Sequence, residues 1–408
     1  MERLPRLAYF PDTYEEIDGV ANTSRQLKTF AKKRGFPLLI FCGGYHDQAQ
    51  TDGSTVRVML CRGPIRFPLD KKHDFDLLFW RYYRYVKDAV RRFAPDVVHI
   101  TGPSDVGLLG ALVAHRLGIP LVASWHTNLH EYAERRALPL LGVLPANLSS
   151  RLGANIRELS LSLLLNFYKR PQILFAPNPE LVDLLAAGTG RPVHLMRRGV
   201  DPALFAPERR DRTDTEFTIG YVGRLTVEKN IWHLPEIERS LVESGLTNFR
   251  FLVVGQGAEE PWLRANLRHA EFAGVLKGEA LARAYANMDV FVFPSDTETF
   301  GNVVLEALAS GVPAIVTDLG GPRFIVRHGE TGFIGRDVGD FAHWIFHLSD
   351  NPQELQRMRQ AAREEALQAS WDAIFAAVYA AYPNKVQSGS ATPGRVELSR
   401  QPVSSVPS

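Results

Sequence analysis

Short apolar runs alternate with longer stretches of helical periodicity along most of the chain. In the first half the runs fall at 7–10, 38–42, 97–100, 121–124, 173–176 and 193–196. The second half repeats the pattern with runs at 218–222, 250–254, 290–293 and 314–317. Buried strands that alternate with helices are typical of βαβ units and parallel sheets. The pattern therefore predicts an α/β protein with two doubly wound domains.

The segment between the two sets of strands predicts a domain boundary. Residues 201–216 are rich in proline and charge, which is typical of a linker. We therefore expect an N-terminal domain over 1–200 and a C-terminal domain over 217–370. An aromatic-rich helix is predicted over 371–383, and the Ser-, Pro- and Gly-rich composition of 384–408 predicts a disordered tail.

Composition narrows the class of protein. A chain of 408 residues with 45% hydrophobic content can bury two cores, and 47 basic against 45 acidic residues give a formal net charge of only +2. This charge does not favour a nucleic-acid partner. The two cysteines, Cys42 and Cys61, do not have zinc or disulfide-framework spacing, and no run could span a bilayer. We expect a cytoplasmic protein.

The segment after the apolar run 290–293 places two carboxylates, Glu298 and Glu306, at a junction between a strand, a loop and a helix. The helix is predicted over 302–310 because Gly311 and Pro313 stop it. Carboxylates accept hydrogen bonds from sugar and ribose hydroxyls. The arrangement favours a sugar nucleotide as ligand, whereas a solvated helix face is the alternative for an isolated pair of glutamates.

The start of the same helix predicts a site for a pyrophosphate. Backbone N–H groups near Phe300, Gly301 and Asn302 have no partner within the helix, and the helix dipole is positive at this end. These three residues are therefore candidates for donor binding.

The chain resembles the retaining family 4 glycosyltransferases of the GT-B fold, whose signature is this Glu-x7-Glu element followed by a Gly-x-Pro strand. Other fragments of the family pattern lie in order along nearly the whole chain: Asp18-Gly19-Val20-Ala21, Ser124-Trp125-His126-Thr127, Arg198-Gly199-Val200-Asp201, Val222-Gly223-Arg224-Leu225, Val254-Gly255-Gln256-Gly257 and Gly320-Gly321-Pro322. The resemblance implies two Rossmann-like domains that face each other across a cleft. It also implies that the last helix crosses back to the first domain.

Two cations follow the predicted strand 218–222, at the carboxyl end where ligands of α/β sheets bind. These are Arg224 and Lys229. A departing nucleotide diphosphate gains negative charge, which nearby cations stabilise. The resemblance implies that both residues bind the diphosphate, whereas a solvated surface cation is the alternative for either one alone.

Two residues of the first domain are further candidates. Gly19 precedes a helix expected to begin near Asn22 or Thr23, and its missing Cβ lets the backbone approach a phosphate; an ordinary turn glycine is the alternative. By resemblance, His126 faces the donor sugar, and the alternative is a histidine that caps the next helix. The remaining histidines are expected to be surface or packing residues.

Contacts to the nucleotide base are expected from the backbone near Gly255 and Leu276. Relatives usually carry a Phe-x-Gly-like turn where this chain has Leu276-Lys277-Gly278, so UDP and GDP both remain open. Asp296 and Glu298 could suggest a metal site. In a GT-B site, however, Arg, Lys and helix dipoles take the metal's role, so we expect no metal and no cofactor beyond the nucleotide-sugar donor.

The resemblance implies an enzyme that moves a hexose from UDP-hexose or GDP-mannose to a hydroxyl acceptor. His126, Arg224, Lys229 and Glu298 are its predicted catalytic residues, and retention of configuration rests on the resemblance alone. A sugar-nucleotide epimerase and a catalytically silent nucleotide-sugar binding protein are the alternatives.

The segment 133–170 bears on the acceptor. It mixes leucines with basic residues, namely Arg135, Arg136, Arg151, Arg157, Lys169 and Arg170. A basic amphipathic helix would dock on the anionic inner face of a membrane, which favours a lipid or glycolipid acceptor. A core helix with its polar side in water is the alternative.

Overall fold

The chain folds into two units, and a computed structural model describes residues 4–16, 18–64, 66–70, 73–126 and 146–383. The first unit contains Met1–Met196 and Phe375–Ser408, and the second contains Arg197–Ile374. Each unit has its own hydrophobic core on the faces of its own sheet. Two separate α/β units are what the sequence predicts.

The first unit is built on an eight-stranded sheet with the order β10-β9-β8-β7-β1-β2-β4-β3. Its strands are β1 (Leu7–Phe10), β2 (Leu38–Gly44), β3 (Gln48–Asp52), β4 (Thr55–Cys61), β7 (Val97–Ile100), β8 (Leu121–Ser124), β9 (Ile173–Ala176) and β10 (Val193–Leu195). All pairings are parallel except β3 with β4. A separate antiparallel pair joins β5 (Arg66–Asp70) to β6 (His73–Asp76). The helices are α1 (Gly19–Arg34), α2 (Tyr83–Phe93), α3 (Asp105–Leu117), α4 (Ala146–Tyr168) and α5 (Pro179–Thr189).

The second unit has a fully parallel six-stranded sheet with the order β13-β12-β11-β14-β15-β16. Its strands are β11 (Phe217–Val222), β12 (Phe249–Val254), β13 (Ala270–Gly274), β14 (Val290–Phe293), β15 (Ala314–Thr317) and β16 (Gly332–Gly335). Its helices are α6 (His233–Glu243), α7 (Glu260–Asn266), α8 (Gly278–Ala286), α9 (Asn302–Ala309), α10 (Val338–Asp350) and α11 (Pro352–Leu367), and α12 (Trp371–Ala381) follows. Strand order reverses between β11 and β14. In such sheets, ligands bind at the carboxyl ends of the strands beside this reversal.

Local sequence explains where the helices begin and end. Asp18 caps α1 because its side chain accepts a hydrogen bond from the backbone N–H of Ala21 at 2.8 Å. The helix therefore begins at Gly19, earlier than the predicted start near Asn22 or Thr23. At its other end Gly35 takes the left-handed conformation that closes many helices.

The segment 201–216, which its composition predicts to be a linker, is attached to the second unit. Phe205 is buried in the core of the second unit. Arg210 and Arg212 form ion pairs with Asp289, at 2.8 and 3.0 Å. The charged residues that indicate a linker are thus fixed to the second unit by a buried carboxylate.

The division between the units falls within α12. Residues from Phe375 onward belong with the first unit, where the rings of Phe375 and Tyr379 each lie 5.7 Å from that of Phe30. The predicted tail at 384–408 lies outside the described residues. No helix in the described ranges is both long enough and apolar enough to span a membrane.

Candidate active site

The loops that follow β11 and β14 are tied to each other at the carboxyl edge of the second sheet. The side-chain amide of Asn230 donates to the carbonyl of Pro294 at 3.0 Å, and the hydroxyl of Thr297 donates to the carbonyl of Glu228 at 3.2 Å. Asn230 adopts a left-handed conformation with φ of 51°, which asparagine tolerates better than most residues. These bonds fix the loops on both sides of the strand-order reversal.

Glycines let the neighbouring loops pack backbone against backbone. A Cβ on Gly255, whose φ is 139°, would lie 1.9 Å from the carbonyl oxygen of Gly223. A Cβ on Gly257 would lie 2.0 Å from the carbonyl oxygen of Leu225. Both positions therefore exclude any side chain, and the loop after β12 rests on the loop that carries Arg224.

The predicted cations lie in this loop with acidic partners. Lys229 is 6% exposed, and its ammonium pairs with the carboxylate of Glu298. The guanidinium of Arg224 lies 3.5 Å from the carboxylate of Glu228 and is about half exposed. The structure thus brings Lys229 and Glu298 together at the strand ends, and Arg224 lies in the same loop as Lys229.

Glu306 lies in α9 and is held by a residue that the sequence analysis missed. The hydroxyl of Tyr285, in α8, donates to the Glu306 carboxylate at 2.9 Å. Burial raises the pKa of Glu306 to about 7, although the hydrogen bond from Tyr285 opposes the rise. A tyrosine in a helical stretch rich in alanine gives no local signal for such a role.

The beginning of α9 has features that suit a ligand. Gly301 precedes the helix with φ of 101°, and a Cβ there would lie 3.0 Å from Pro322 Cγ. Within the described part of the chain, the buried Oδ1 atom of Asn302 has no hydrogen-bond partner. Phe300 is buried in the core and anchors the turn. An unpaired acceptor beside a helix N-terminus can receive a hydroxyl from a bound molecule.

The remaining candidate for donor binding in this unit is Leu276. It lies two residues before α8, and its side chain packs against the core of the second unit. Its side chain therefore has a structural role, and contact of its backbone with a base remains a prediction.

Two candidates lie in the first unit. Gly19 is the exposed first residue of α1. His126 follows β8 by two residues and is 7% exposed, and its Nε2 atom lies 2.6 Å from the hydroxyl of Ser124. The predicted site residues are thus divided between the two units.

Metal ligands are a separate matter. In the portions that the structure describes, no three His, Cys, Asp or Glu side chains gather as a group that could hold an ion. Independence from metals remains a prediction.

Comparisons with known families and relatives agree on the class of protein. Residues 17–204 match the family described as Glycosyltransferase Family 4, and residues 216–351 match Glycosyl transferases group 1. The chain is 33% identical to a GDP-mannose-dependent alpha-mannosyltransferase of Mycobacterium tuberculosis over 88% of this chain and 91% of that protein. A protein of the same name from Mycolicibacterium smegmatis is 36% identical over 70% of this chain and 72% of its own length.

Solved structures show the same fold. Sucrose-phosphate synthase from Thermosynechococcus elongatus superposes with a TM-score of 0.70 at 20% identity, over 93% of this chain and 100% of the other. Anabaena HepE, solved with UDP and glucose, gives a TM-score of 0.62 at 16% identity, over 93% and 100% of the two chains. The chain therefore belongs to glycosyltransferase family 4, has the GT-B fold and is a glycosyltransferase that uses a nucleotide-sugar donor.

Proposed function

We propose that this enzyme transfers mannose from GDP-mannose to a hydroxyl group of an acceptor. Three relatives named GDP-mannose-dependent alpha-mannosyltransferase support this donor, at identities of 33%, 36% and 28% over 88%, 70% and 88% of the chain. Agreement among three relatives in the name of the donor favours GDP over UDP.

The ion pair between the buried Lys229 and the partly exposed Glu298, with Arg224 in the same loop as Lys229, is the observation that best supports transfer chemistry. A diphosphate at the carboxyl ends of β11 and β14 would meet both cations and the positive end of α9. These groups are fixed before the substrate arrives, so they can stabilise charge on the leaving phosphate with little reorganisation. Glu298 would then accept hydrogen bonds from hydroxyls of the sugar.

Glu306 and His126 have separate roles in this proposal. The carboxylate of Glu306 accepts hydrogen bonds from the ribose, and the first unit contributes His126 as a contact for the sugar. We propose retention of configuration by attack from the face that the diphosphate leaves. The anomeric C–O bond to phosphate breaks, a new C–O bond to the acceptor forms, and the proton of the acceptor hydroxyl passes to the leaving phosphate oxygen.

Thermal stability with each nucleotide tests the donor. A ligand at one hundred times its dissociation constant stabilises a protein by about 2.7 kcal/mol, so GDP and GDP-mannose should raise the unfolding temperature clearly. UDP and UDP-glucose at the same concentrations should give smaller shifts. Chromatography should also show GDP released from GDP-mannose. Stabilisation and turnover with UDP-glucose alone would overturn the choice of donor.

We further propose that the acceptor is a lipid. Relatives named Sulfoquinovosyl transferase and Alpha-monoglucosyldiacylglycerol synthase match 90% and 88% of the chain. In α4, Leu159 and Leu163 are each 63% exposed and lie one helical turn apart, and Arg151 and Arg157 lie in the same helix. Exposed leucines near basic residues suit docking on an anionic membrane. Arg135 and Arg136 lie outside the described residues.

Liposome binding tests the membrane surface. The protein should sediment with vesicles that contain phosphatidylglycerol more than with phosphatidylcholine vesicles, and added salt should release it. Replacing Leu159 and Leu163 with serine should reduce binding without changing the thermal shift caused by GDP. The exposed Trp262 in α7 offers a control substitution to serine in the second unit. Equal, negligible binding to both vesicle types would contradict the proposal.

A further inference from the structure

A chain of hydrogen bonds inside the first unit links His126 to the residue that follows the last helix. His126 Nε2 lies 2.6 Å from the Ser124 hydroxyl oxygen, which lies 3.1 Å from His99 Nε2. His99 Nδ1 in turn lies 2.8 Å from the hydroxyl of Tyr382. All four side chains are buried, with exposures between 1% and 7%.

Burial fixes the protonation states of His99 and Tyr382. It lowers the pKa of His99 to about 3, so this ring is neutral and carries a single N–H. Burial also raises the pKa of Tyr382 well above its usual range, so its hydroxyl keeps its hydrogen. Each inner group then has one hydrogen to donate, and the whole chain of bonds must run in one of two directions.

In the first direction every hydrogen finds an acceptor. The hydroxyl of Tyr382 donates to His99 Nδ1, so His99 carries its hydrogen on Nε2 and donates it to Ser124. The hydroxyl of Ser124 then donates to His126 Nε2. His126 accepts at Nε2, and in its neutral form its own hydrogen lies on Nδ1.

In the opposite direction the hydroxyl hydrogen of Tyr382 is left over. His126 would donate from Nε2 to Ser124, Ser124 to His99 Nε2, and His99 Nδ1 to the oxygen of Tyr382. Among the described residues, His99 is the only hydrogen-bond partner of that hydroxyl. A buried donor without an acceptor costs a factor of roughly 5 to 150 in population, so the first direction is preferred.

We propose that Tyr382, His99 and Ser124 are positioning residues that hold His126 in the tautomer with its hydrogen on Nδ1. The ring then cannot donate a hydrogen from Nε2. This tautomer follows from contacts within the first unit alone. Only its importance for catalysis rests on the proposed function, in which His126 contacts the sugar.

The arrangement couples distant parts of the sequence. Tyr382 and His99 are 283 positions apart, and Tyr382 directly follows α12, which is the helix that returns to the first unit. The packing of this helix in the first unit therefore brings the Tyr382 hydroxyl to His99. That hydroxyl is the donor that fixes the tautomer of His126, just after β8. A hydrogen-bond partner of the ring commonly fixes which nitrogen of a histidine carries the hydrogen.

Nitrogen NMR of the full chain labelled with ¹⁵N-histidine tests the proposal without any substrate. Long-range proton–nitrogen correlations distinguish the two neutral tautomers, and a His126→Gln variant assigns the signal. We expect the Nδ1–H pattern for His126 in the unaltered protein. In Tyr382→Phe the first direction loses its donor, so the ratio of the Nε2–H form of His126 to the Nδ1–H form should increase by a factor of about 5 or more.

Tyr379→Phe is the matched control. Tyr379 lies in α12, the helix that Tyr382 directly follows, and in the described part of the chain its buried hydroxyl has no hydrogen-bond partner. This variant should keep the original His126 pattern. An Nε2–H pattern in the unaltered protein, or an unchanged pattern in both Tyr382→Phe and Ser124→Ala, would overturn the proposal.

Hydrolysis of GDP-mannose provides the second readout. Tyr382→Phe should lower kcat about twofold with an unchanged KM for the donor, because losing the preference leaves roughly half of the molecules in the Nδ1–H form, and Tyr379→Phe should change neither. If GDP-mannose is not a substrate, the NMR result still stands, so failure of the donor assignment is distinguishable. A tautomer change in Tyr382→Phe without any loss of kcat would overturn the catalytic part of the inference.

Discussion

At the scale of single residues, the proposed donor site contains an ion pair between two of its own side chains. The ammonium of Lys229 is buried and meets the carboxylate of Glu298. Removing one member of a buried pair leaves the other uncompensated, which is costly. Substitutions at these two positions should therefore be strongly non-additive, and the effect of either alone includes a change in the state of its partner.

The cations give the first prediction. Arg224→Ala and Lys229→Ala should each lower kcat by about two to three orders of magnitude, because each removes positive charge from the leaving diphosphate. Steady-state kinetics with GDP-mannose measure the effect, and circular dichroism checks the fold. Arg239, exposed in α6, is the matched control for loss of an arginine. Turnover near the original rate in either variant would refute the role.

Glu306 gives a prediction about pH. Its pKa is raised to about 7, so the carboxylate, which is the better acceptor for ribose hydroxyls, is lost as pH falls through that value. The donor KM should therefore rise severalfold between pH 8 and pH 6. The neutral amide in Glu306→Gln should make the KM nearly independent of pH in this range. Because Tyr285 stabilises the carboxylate, Tyr285→Phe should move the midpoint to higher pH.

A donor KM that stays constant from pH 6 to pH 8 in the unaltered enzyme would contradict the ribose assignment. An effect of Glu306→Gln that lay entirely in kcat would contradict it as well.

The sequence indicates candidate site residues better than it indicates the residues that hold them through hydrogen bonds. A recognisable order along the chain makes candidates of Arg224, Lys229, Glu298 and Glu306. Tyr285 does not belong to that order and reaches Glu306 only through helix packing. His99 lies between apolar residues of β7, and the sequence predicts only a surface or packing role for it. Its partner Tyr382 is brought to it by the fold alone.

At the level of elements, the amino-terminal end of β14 carries a cluster of charges that fastens the second unit. Asp289 immediately precedes the strand and accepts from the backbone N–H of Thr218, in β11, at 2.9 Å. Three guanidiniums, those of Arg210, Arg212 and Arg359, lie 2.8 to 3.2 Å from its carboxylate. Burial lowers the pKa of Arg359 to about 10. One carboxylate thus joins α11 and the segment 201–216 to the sheet.

Asp289→Ala should destabilise the second unit by about 3–5 kcal/mol, because it leaves buried guanidiniums without their counter-charge. Urea unfolding followed by tryptophan fluorescence measures the change. Asp211→Ala is the control, since Asp211 is exposed and its carboxylate contacts the exposed Arg283 at 3.4 Å and accepts from the side-chain amide of Asn287 at 2.8 Å. Its effect should stay below about 1 kcal/mol. Similar losses for both variants would show that Asp289 is not the fastening group.

Most strands were predictable because a strand buried on both faces reads as a continuous apolar run. The strands outside the predicted runs are the internal strand β4, the separate pair β5 and β6, and the edge strands β3, β13 and β16. β3 has the sequence Gln-Ala-Gln-Thr-Asp and is largely exposed, so it forms through its antiparallel pairing with β4 and not through burial. β13 and β16 are short outer strands of the second sheet and contain glycine, which weakens the pattern. The attachment of the segment 201–216 to the second unit could not be predicted, because composition does not show that Asp289 binds its arginines.

Over the whole molecule, the candidate site residues are distributed between the two units. Each has a separate core, and the cations with Glu298 lie in the second while His126 lies in the first. Rossmann-like units with this strand order place their loops at one edge of each sheet. The GT-B fold therefore allows the loops to vary while the sheets remain intact.

Activity should survive chelators, because Arg224, Lys229 and the N-terminus of α9 provide the positive charge that a metal would otherwise supply. Turnover of GDP-mannose with and without EDTA measures this directly, and a rate within about twofold is expected. Complete loss of activity in EDTA, with recovery on adding magnesium or manganese, would contradict the prediction.

The position of Asp289 has a consequence for how such a chain can evolve. Asp289, whose carboxylate fastens the second unit, immediately precedes β14. At the other end of this four-residue strand, a short loop leads to Glu298. Residues at the carboxyl ends of the strands can therefore change with the substrate, while the ion pairs at the amino end of β14 keep the second unit folded. Substitutions around Glu298 can therefore alter ligand contacts while the ion pairs of Asp289 stay in place, since the two carboxylates lie beyond opposite ends of the same strand.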